Sequence, residues 1–442
     1  MNIIRLRVFN LYGKNYDVKF HKKLTILYGL NGSGKTTVLD IIFNILNGNI
    51  KRLAKYKFSK LIFEFEKNGK AKTLNIVDFD GVMEVWLDDD FKFQFIYSET
   101  YSILKQDVDN RFNIQYNDML NESSEEEFKE KMEPMSDLIY VPLNRRVKGK
   151  LHGLVRYENS LVRKKILYKN EINNGSNQKN IEDSIQIANR HFELHKQRIV
   201  RTENQINTKL RNRMVANFSR PVETNLLEAD ELNFDDLEEK LKIIFKNEYG
   251  FNQNINKLIA KYHKTRNSYE KIGDYIMIKD NKSFIDHTSA YVQLSKLSEI
   301  EVIATKEKNR IDLLKKNLEH VLDSINSLLK DTRKHIKFDE YENKLVFSNW
   351  DNKEELDLSL LSSGEKQIVI FFVFSLTSHY RSKDKLLLID EPELSLHVEW
   401  QSKLLKLLML NNTSSQIIIA SHSPDVIGDY YELCTEVRGT LS

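Results

Sequence analysis

The sequence predicts an α/β protein: a mixed sheet flanked by helices, with an antiparallel β lobe beside it, split by a helical and partly coiled-coil insertion. Three observations carry this. A buried strand, Leu24-Thr25-Ile26-Leu27-Tyr28, runs into a glycine-rich loop and then a helix. The runs Leu386-Leu387-Leu388-Ile389 and Ile417-Ile418-Ile419-Ala420 are continuously apolar, as parallel strands buried on both faces should be. Between these two regions apolar residues recur every seven positions.

The chain has 442 residues, enough for two or three domains, and its 40% hydrophobic content supplies a sizeable core. With 67 basic and 64 acidic residues the formal net charge is only +3, which excludes a uniformly basic nucleic-acid coat but not local patches. The one cysteine, Cys434, cannot form an internal disulfide and fits a reducing compartment. The start lacks the apolar run of a signal peptide, and no stretch approaches the ~20 apolar residues of a membrane helix. A cytoplasmic location with no membrane contact is the expectation.

Taken in order, residues 3–8 and 16–20 read as strands ahead of the buried strand at 24–28. A helix follows through residues 37–43, closed by Asn47-Gly48. From about residue 55 to 100, short aromatic strands with turns at Asn68-Gly69 and Asp80-Gly81 predict the antiparallel lobe. An acidic linker at 122–130 leads to another buried strand at 138–142. These segments make residues 1–150 the N-terminal half of a split head, with an insertion at 151–335 and the C-terminal half at 336–442.

The insertion opens on a basic tract: residues 145–220 hold 18 Lys/Arg against 6 Asp/Glu, and residues 221–239 reverse the sign. Pro221 is the sole proline between Leu143 and Leu361, and the patterning there is helical. Leu297, Ala304, Ile311, Leu318 and Ile325 form one heptad position; Ile300, Leu314, Val321 and Leu328 form the second, interrupted by Glu307. A weaker seam runs through Ile185, Phe192, Ile199, Ile206 and Leu210, so two helices can pair antiparallel. The heptads cover ~32 residues, which predicts a short stalk of about 48 Å. Beyond it, residues 341–348 and 355–358 read as paired strands.

Gly29-Leu30-Asn31-Gly32-Ser33-Gly34-Lys35-Thr36 satisfies G-x-x-x-x-G-K-[ST] between a strand and a helix. Glycines let backbone N–H groups converge on a phosphate without side-chain obstruction, and the helix N-terminus adds favourable potential. Asn31, Gly32, Ser33, Gly34, Lys35, Thr36 and Thr37 are therefore the candidate phosphate-binding residues, with Lys35 for the β- and γ-phosphates and Thr36 for Mg²⁺. Three later segments refine this. Leu386 to Asp390-Glu391 is an apolar strand ending in two acids, Leu361-Ser362-Ser363-Gly364-Glu365 is a small-residue turn opening a helix with Ser363 as N-cap, and Ser421-His422-Ser423-Pro424 follows a strand. Each alone fits an ordinary structural role.

Together and in this order they resemble the ATP-binding cassette ATPases. The resemblance makes Ser362, Ser363 and Gly364 the signature motif, Asp390-Glu391 the Walker B pair, residues 392–397 the D-loop and His422 the switch histidine. Lys35 and Ser363 stand 328 residues apart, unlike a compact transporter cassette and similar to the split heads of the SMC, RecF and OLD families. The wording of 389–397 and 420–424 is most similar to OLD-like ATPases of anti-phage defence operons of the Septu and PARIS types. The chain departs from OLD nucleases in ending 20 residues after His422, which leaves no room for a Toprim domain. Where relatives often carry the glutamine of a Q-loop, Asn144, Gln106 and Gln115 remain alternatives.

The resemblance implies ATP and Mg²⁺ as ligands and a homodimer, or a higher homo-oligomer, with ATP sandwiched between heads. Lys35, Thr36 and Asp390 would hold triphosphate and metal; Ser362, Ser363, Gly364 and Glu365 of the facing protomer would close the site. Glu391 would act on the attacking water, and His422 and Lys35 on the γ-phosphate. Two functions stand open: a defence sensor or scaffold controlling a separate nuclease or toxin, and a RecF- or SMC-like DNA repair or maintenance ATPase that contacts DNA through the basic residues of 145–220.

Overall fold

The computed structural model describes residues 1–67, 69–79, 81–88, 91–97, 126, 128–129, 131–132, 137–142, 148–150, 177–219, 234, 236–244, 251–273, 275–351, 354–376, 385–411 and 415–441. Gln106, Gln115, Asn144, most of the basic tract before 177 and the acidic stretch at 223–231 lie outside the described residues.

The chain forms two compact units, one of residues 1–195 with 318–442, the other of residues 196–317. In the first unit, strands β1 (Asn2–Leu11), β2 (Lys14–Lys19) and β3 (Leu24–Tyr28) lead to helices α1 (Lys35–Leu46) and α2 (Ile50–Leu53). Strands β4 (Lys60–Lys67), β5 (Lys70–Asp78), β6 (Val82–Leu87) and β7 (Phe91–Ile96), all but β5 carrying aromatic residues, alternate inward and outward, as one-sided strands should. They join β1, β2 and a C-terminal strand in a seven-stranded sheet. All its pairings are antiparallel, as the hairpin signals predict.

Strands β8 (Asp137–Val141) and β9 (Lys148–Lys150) precede the long helix α3 (Asn177–Ser219). The second unit contains α4 (Leu237–Ile244), α5 (Phe251–Thr265), the hairpin β10 (Tyr269–Ile272) and β11 (Tyr275–Ile278), and the start of α6 (Asn281–Leu329). Strands β12 (Lys334–Asp339), β13 (Lys344–Asn349) and β14 (Leu356–Asp357) form a small antiparallel sheet. The C-terminal half continues with α7 (Ser363–Ser375), β15 (Lys385–Asp390), α8 (Val398–Asn411), β16 (Ser415–Ala420), α9 (Pro424–Ile427), β17 (Cys434–Glu436) and β18 (Thr440–Leu441).

The sheet that matters for function has six strands in the order β17-β3-β16-β15-β8-β9, parallel except for β9. Its central strands are buried through Leu24, Ile26, Leu27, Leu387, Leu388, Ile389 and Ile417 to Ala420, which is why they read as continuous apolar runs. Helix α1 shares one core with the antiparallel sheet and one face of this sheet; the Phe43 and Tyr140 rings meet at a tilt, centroids 5.3 Å apart. Gln416 joins the two sheets. Its amide nitrogen donates to the carbonyls of Ile3 and His21 at 2.9 Å each, and its oxygen accepts from the Ile3 N–H at 2.7 Å. On α7, residues Ile368 to Phe374 are buried without interruption, so the helix is apolar all round and lies inside the fold rather than on it.

Both seams are buried. On α6 these are Leu297, Ile300, Ala304, Ile311, Leu318, Val321, Ile325 and Leu328; on α3, Ile185, Phe192, Ile199, Ile206 and Leu210. Leu314 is half-buried, and Glu307 at the interrupted position pairs with Arg310 at 3.6 Å. Within the second unit Lys315 of α6 meets Glu203 of α3 at 3.0 Å. The stalk is longer than the heptads predict: α3 has 43 residues and α6 has 49, or about 74 Å for α6. The extra length lies at the start of α6, where the Asp280 carboxylate accepts from the Ser283 N–H at 3.0 Å. There Ala290 continues the first heptad position, while Tyr291 and Leu294 leave the heptad, and the three pack with Phe234, Leu237, Leu241, Ile255 and Tyr262. Among the described residues no helix is long and apolar enough to cross a membrane.

Candidate functional site

Strand register brings the chemistry together. Asp390 is level with Ala420, and Ala420 with Leu27, so β15, β16 and β3 end side by side. Ligands in open parallel sheets collect at these carboxyl ends. Two backbone bonds past the ends lock the following turns: the Glu391 N–H donates to Ala420 O at 2.8 Å and the Ser421 N–H to Leu27 O at 3.1 Å.

The loop after β3 is built for close approach. Gly32 and Gly34 have φ of +76° and +104°, conformations that side chains resist, and a Cβ on Gly34 would sit 3.0 Å from the Tyr16 ring. Gly34 is also the N-cap of α1; no side chain caps this helix and no acid lies in its first turn. Its N-terminal amides and the positive end of its dipole therefore face the loop. The Ser33 hydroxyl is buried without a hydrogen-bond partner. Lys35 reaches back over the loop, donating to the carbonyls of Gly29 at 3.1 Å and Leu30 at 3.3 Å and to His422 Nε2 at 2.5 Å. Burial lowers the Lys35 pKa, against the opposing charges of Glu391, Asp390 and Glu393.

Across from it, the Thr36 hydroxyl donates to Asp390 Oδ1 at 3.2 Å, while Asp390 Oδ2 is buried with no partner. Burial pushes the Asp390 carboxyl up to about 6, with Asp40 adding to the rise and Thr36 opposing it. A buried carboxylate with an orphaned oxygen is a group short of a cation. Uncapped amides, a partnerless Ser33 hydroxyl and an under-coordinated Asp390 together fit a triphosphate with one divalent ion, which magnesium takes through one or two carboxylates plus phosphates.

Glu391 sits at φ 49°, ψ 58°, a left-handed conformation that costs a non-glycine residue about 1–2 kcal/mol. The bond to Ala420 on one side and Pro392 on the other hold it there, so the strain is bound into a defined side-chain direction. Its carboxyl lies 3.2 Å from His422 Nε2. Burial pushes Glu391 up to about 8, helped by a hydrogen bond and charge from Glu393. Burial and then the Lys35 charge lower the His422 pKa and keep the imidazole neutral.

Helix α7 presents its start differently from the sequence expectation. The N-cap is Ser362, not Ser363: the Ser362 hydroxyl accepts from the Glu365 N–H and Glu365 returns a bond to the Ser362 N–H at 2.8 Å. The capping box forms because Glu365 stands three residues after Ser362, a spacing visible in the sequence. Ser362 and Ser363 are exposed, while Gly364 and Glu365 are buried. Glu365 is held by Lys334 at 2.8 Å. Burial pushes its carboxyl up, but Lys334 and the Ser362 donors outweigh that and hold it low. Gly364 has no room for a side chain: a Cβ would stand 2.3 Å from the Ser395 carbonyl oxygen.

The structure thus brings Lys35, Thr36, Asp390, Glu391 and His422 into one cluster, with Ser33 and Gly34 in the loop beside them. Asn31 is exposed at the loop tip and Thr37 half-buried on α1. Ser362, Ser363, Gly364 and Glu365 occupy the separate α7 start. Sequence reasoning missed Glu393, whose Oε1 accepts from Ser421 Oγ at 2.9 Å, His422 N–H at 2.7 Å and Ser423 N–H at 3.2 Å. A glutamate after a proline in a turn carries no pattern of its own; only the fold brings the two turns together.

A parallel sheet with this loop, helix and acid pair defines a P-loop nucleotide-binding domain of the ATPase class. The AAA_21 family, described as an AAA domain and connected in that description with the AbiEii toxin and type IV TA systems, matches residues 24–428. The chain belongs to the AAA_21 family, whose P-loop implies ATP and Mg²⁺ as ligands. No curated protein matches it significantly in sequence. Among solved structures it is similar to the Smc head domain with an extended coiled coil from Pyrococcus furiosus, bound there to the C-terminal domain of ScpA, with 12% identity over 96% of this chain and 91% of that one and a TM-score of 0.39. It is similar also to the SMC head domain from Thermotoga maritima, at 12% identity, 100% and 98% coverage and a TM-score of 0.37.

Proposed function

We propose that this protein is an ATP-hydrolysing switch that closes as a homodimer through its heads, and that it acts as the sensor or scaffold of an anti-phage defence system by controlling a separate nuclease or toxin. The observation that carries the ATPase part is the meeting of Lys35, Asp390, Glu391 and His422 at the ends of three adjacent parallel strands. The family description, with its toxin and toxin–antitoxin wording, supports the defence setting, as does the resemblance of 389–397 and 420–424 to OLD-like ATPases.

In this reading Lys35 leaves His422 for the β- and γ-phosphates, and Thr36 with Asp390 holds Mg²⁺. Bound magnesium neutralises the triphosphate and polarises its terminal phosphoryl group. Glu391, with its proton released to solvent, would orient the attacking water. His422, released from Lys35, donates to the γ-phosphate oxygens. The exposed Ser362 and Ser363 of a second copy complete the cradle, with the α7 N-terminus adding its dipole.

The test is a Glu391→Gln protein with saturating Mg-ATP, followed by size-exclusion chromatography with light scattering. Accumulated dimers support the shared site, and a persistent monomer rejects it. Recovery of the tagged variant from its native host, read by mass spectrometry, then separates the settings: a stoichiometric nuclease or toxin supports the defence switch.

A second reading, direct DNA action in the manner of RecF- or SMC-like ATPases, is favoured by exposed basic side chains. Arg201, Lys209, Arg211 and Arg213 are exposed on α3, and such side chains contact phosphates without reading a sequence. DNA-stimulated hydrolysis that is lost on charge reversal of Arg198, Arg201, Arg211 and Arg213 would select it.

A further inference from the structure

The turn that carries His422 is tied to itself and to Glu393. Ser421 is buried at the end of β16, and its N–H is spent on Leu27 O. The next two backbone amides, those of His422 and Ser423, both reach a single oxygen, Glu393 Oε1, which also takes the Ser421 hydroxyl; the Ser423 N–H is shared with Ser421 Oγ at 3.0 Å, whereas the His422 N–H goes to Glu393. Three donors on one carboxylate oxygen form a fixed concave clamp, with charge-assisted bonds of roughly twice ordinary strength. The Ser423 hydroxyl extends the clamp to α8, donating to Gln401 Oε1 at 2.6 Å.

Glu393 belongs to the short 3₁₀ turn at Pro392–Ser395, the segment after the Walker B pair. At the other end of the same turn the Ser395 carbonyl presses on Gly364 at the start of α7. The turn therefore touches the exposed-serine helix with one end and grips the histidine loop with the other. Gln401 braces it from behind, its amide donating to Leu396 O at 2.9 Å.

We propose that Glu393 is a positioning residue: through the Ser421, His422 and Ser423 donors it holds the His422 imidazole at the nucleotide, and so couples the state of the Pro392–Ser395 turn to the histidine. This rests on the proposed ATPase function. Glu393 also faces Glu391, whose carboxyl it hydrogen-bonds and raises; glutamine and alanine both remove that charge, so the difference between them isolates the clamp on the histidine turn. A group whose partner is misplaced by an ångström loses about 100-fold in rate. Because the clamp uses one oxygen as acceptor, a glutamine, which keeps a carbonyl oxygen at that place, preserves it, whereas alanine removes it.

The experiment compares the full-length wild type with Glu393→Gln, Glu393→Ala, His422→Ala and the His422→Ala/Glu393→Ala double variant. ATP turnover, Mg-ATP affinity and amide hydrogen exchange of the 420–424 segment are measured on each. The expected result is a loss of about 100-fold in kcat for Glu393→Ala with affinity within about twofold, and rescue to within about fivefold by Glu393→Gln. The double variant should be no slower than His422→Ala alone, since the two act as one unit. Exchange at the His422 and Ser423 amides should quicken in the alanine variant and stay protected in the glutamine one. Additive losses in the double variant, or a glutamine variant as slow as alanine, overturn the proposal. If the wild type hydrolyses no ATP, the ATPase function and the kinetic part of this proposal both fail. If the wild type turns over normally and Glu393→Ala matches it in rate and exchange, Glu393 alone is wrongly assigned.

Discussion

Lys35 Nζ and His422 Nε2 lie 2.5 Å apart although 387 residues separate them in the chain. The contact exists because β3 and β16 are neighbours in register, and it ties up both groups that a γ-phosphate would need. Replacing Lys35 with methionine should weaken Mg-ATP binding by about 100-fold, the worth of one charge-assisted bond of ~2.7 kcal/mol. The same variant should raise the His422 pKa, because the Lys35 charge is one of the two causes that depress it. Fluorescent-nucleotide titration and histidine NMR check the two halves separately.

Glu391 makes the stability of the protein sensitive to pH. Its carboxyl, pushed up to about 8 by burial and by Glu393, lies above the ordinary value of 4.5. A carboxyl raised on folding stabilises the folded state below pH 4.5, and that contribution is lost as pH rises through 8. Glu391→Gln removes the titration while keeping a neutral group. Its melting temperature should therefore gain on that of wild type as pH rises from 5 to 9. Thermal unfolding at a series of pH values is the measurement.

The cap of α7 depends on a lysine from outside the motif. Lys334 reaches Glu365, which is 3% exposed, and so neutralises a charge that the helix start cannot release to water. Lys334→Met leaves that carboxylate buried and unpaired, at a cost of about 3 kcal/mol in chemical unfolding. Lys334→Met with Glu365→Gln should recover most of the loss, because an amide keeps the bond to the Ser362 N–H without a charge.

These sites differ in how far the sequence reveals them. The strands carrying Lys35, Asp390 and His422 are legible because burial on both faces leaves an unbroken apolar run, and the heptads of α6 because one seam repeats. The start of α6 is not legible, since Tyr291 and Leu294 leave the heptad for a core shared with α4 and α5. Strand β12 escapes notice for a related reason: Ile336 is its one buried apolar residue, and Lys334 and Lys337 look like more of the charged helix before them. Glu393 has no local signal, because its three donors come from a turn 28 to 30 residues away.

Gly364 shows how little freedom the small-residue motif has. An alanine there would put its Cβ 2.3 Å from Ser395 O, a backbone atom that must move because it cannot rotate away. Gly364→Ala should cost about 1–3 kcal/mol through displacement of the Pro392–Ser395 turn. Because that turn also holds His422, turnover should fall further than stability accounts for. Unfolding curves and ATP turnover on one protein sample separate the two effects.

The stalk offers a test that leaves the nucleotide site alone. Ile311 is 6% exposed on the α6 seam, whereas Leu313, two residues on, is 55% exposed on the opposite side. Ile311→Ala removes buried methyl groups and should destabilise by about 2 kcal/mol, at the low end for such a change because the seam is narrow. Leu313→Ala should stay within about 0.5 kcal/mol, as a surface change does. Hydrogen exchange should then quicken along residues 300–317 in Ile311→Ala while the strands at 385–390 and 415–420 keep their protection, because residues 300–317 and the parallel sheet lie in different compact units. Equal loosening of both regions would mean that the stalk and the sheet unfold as one cooperative body.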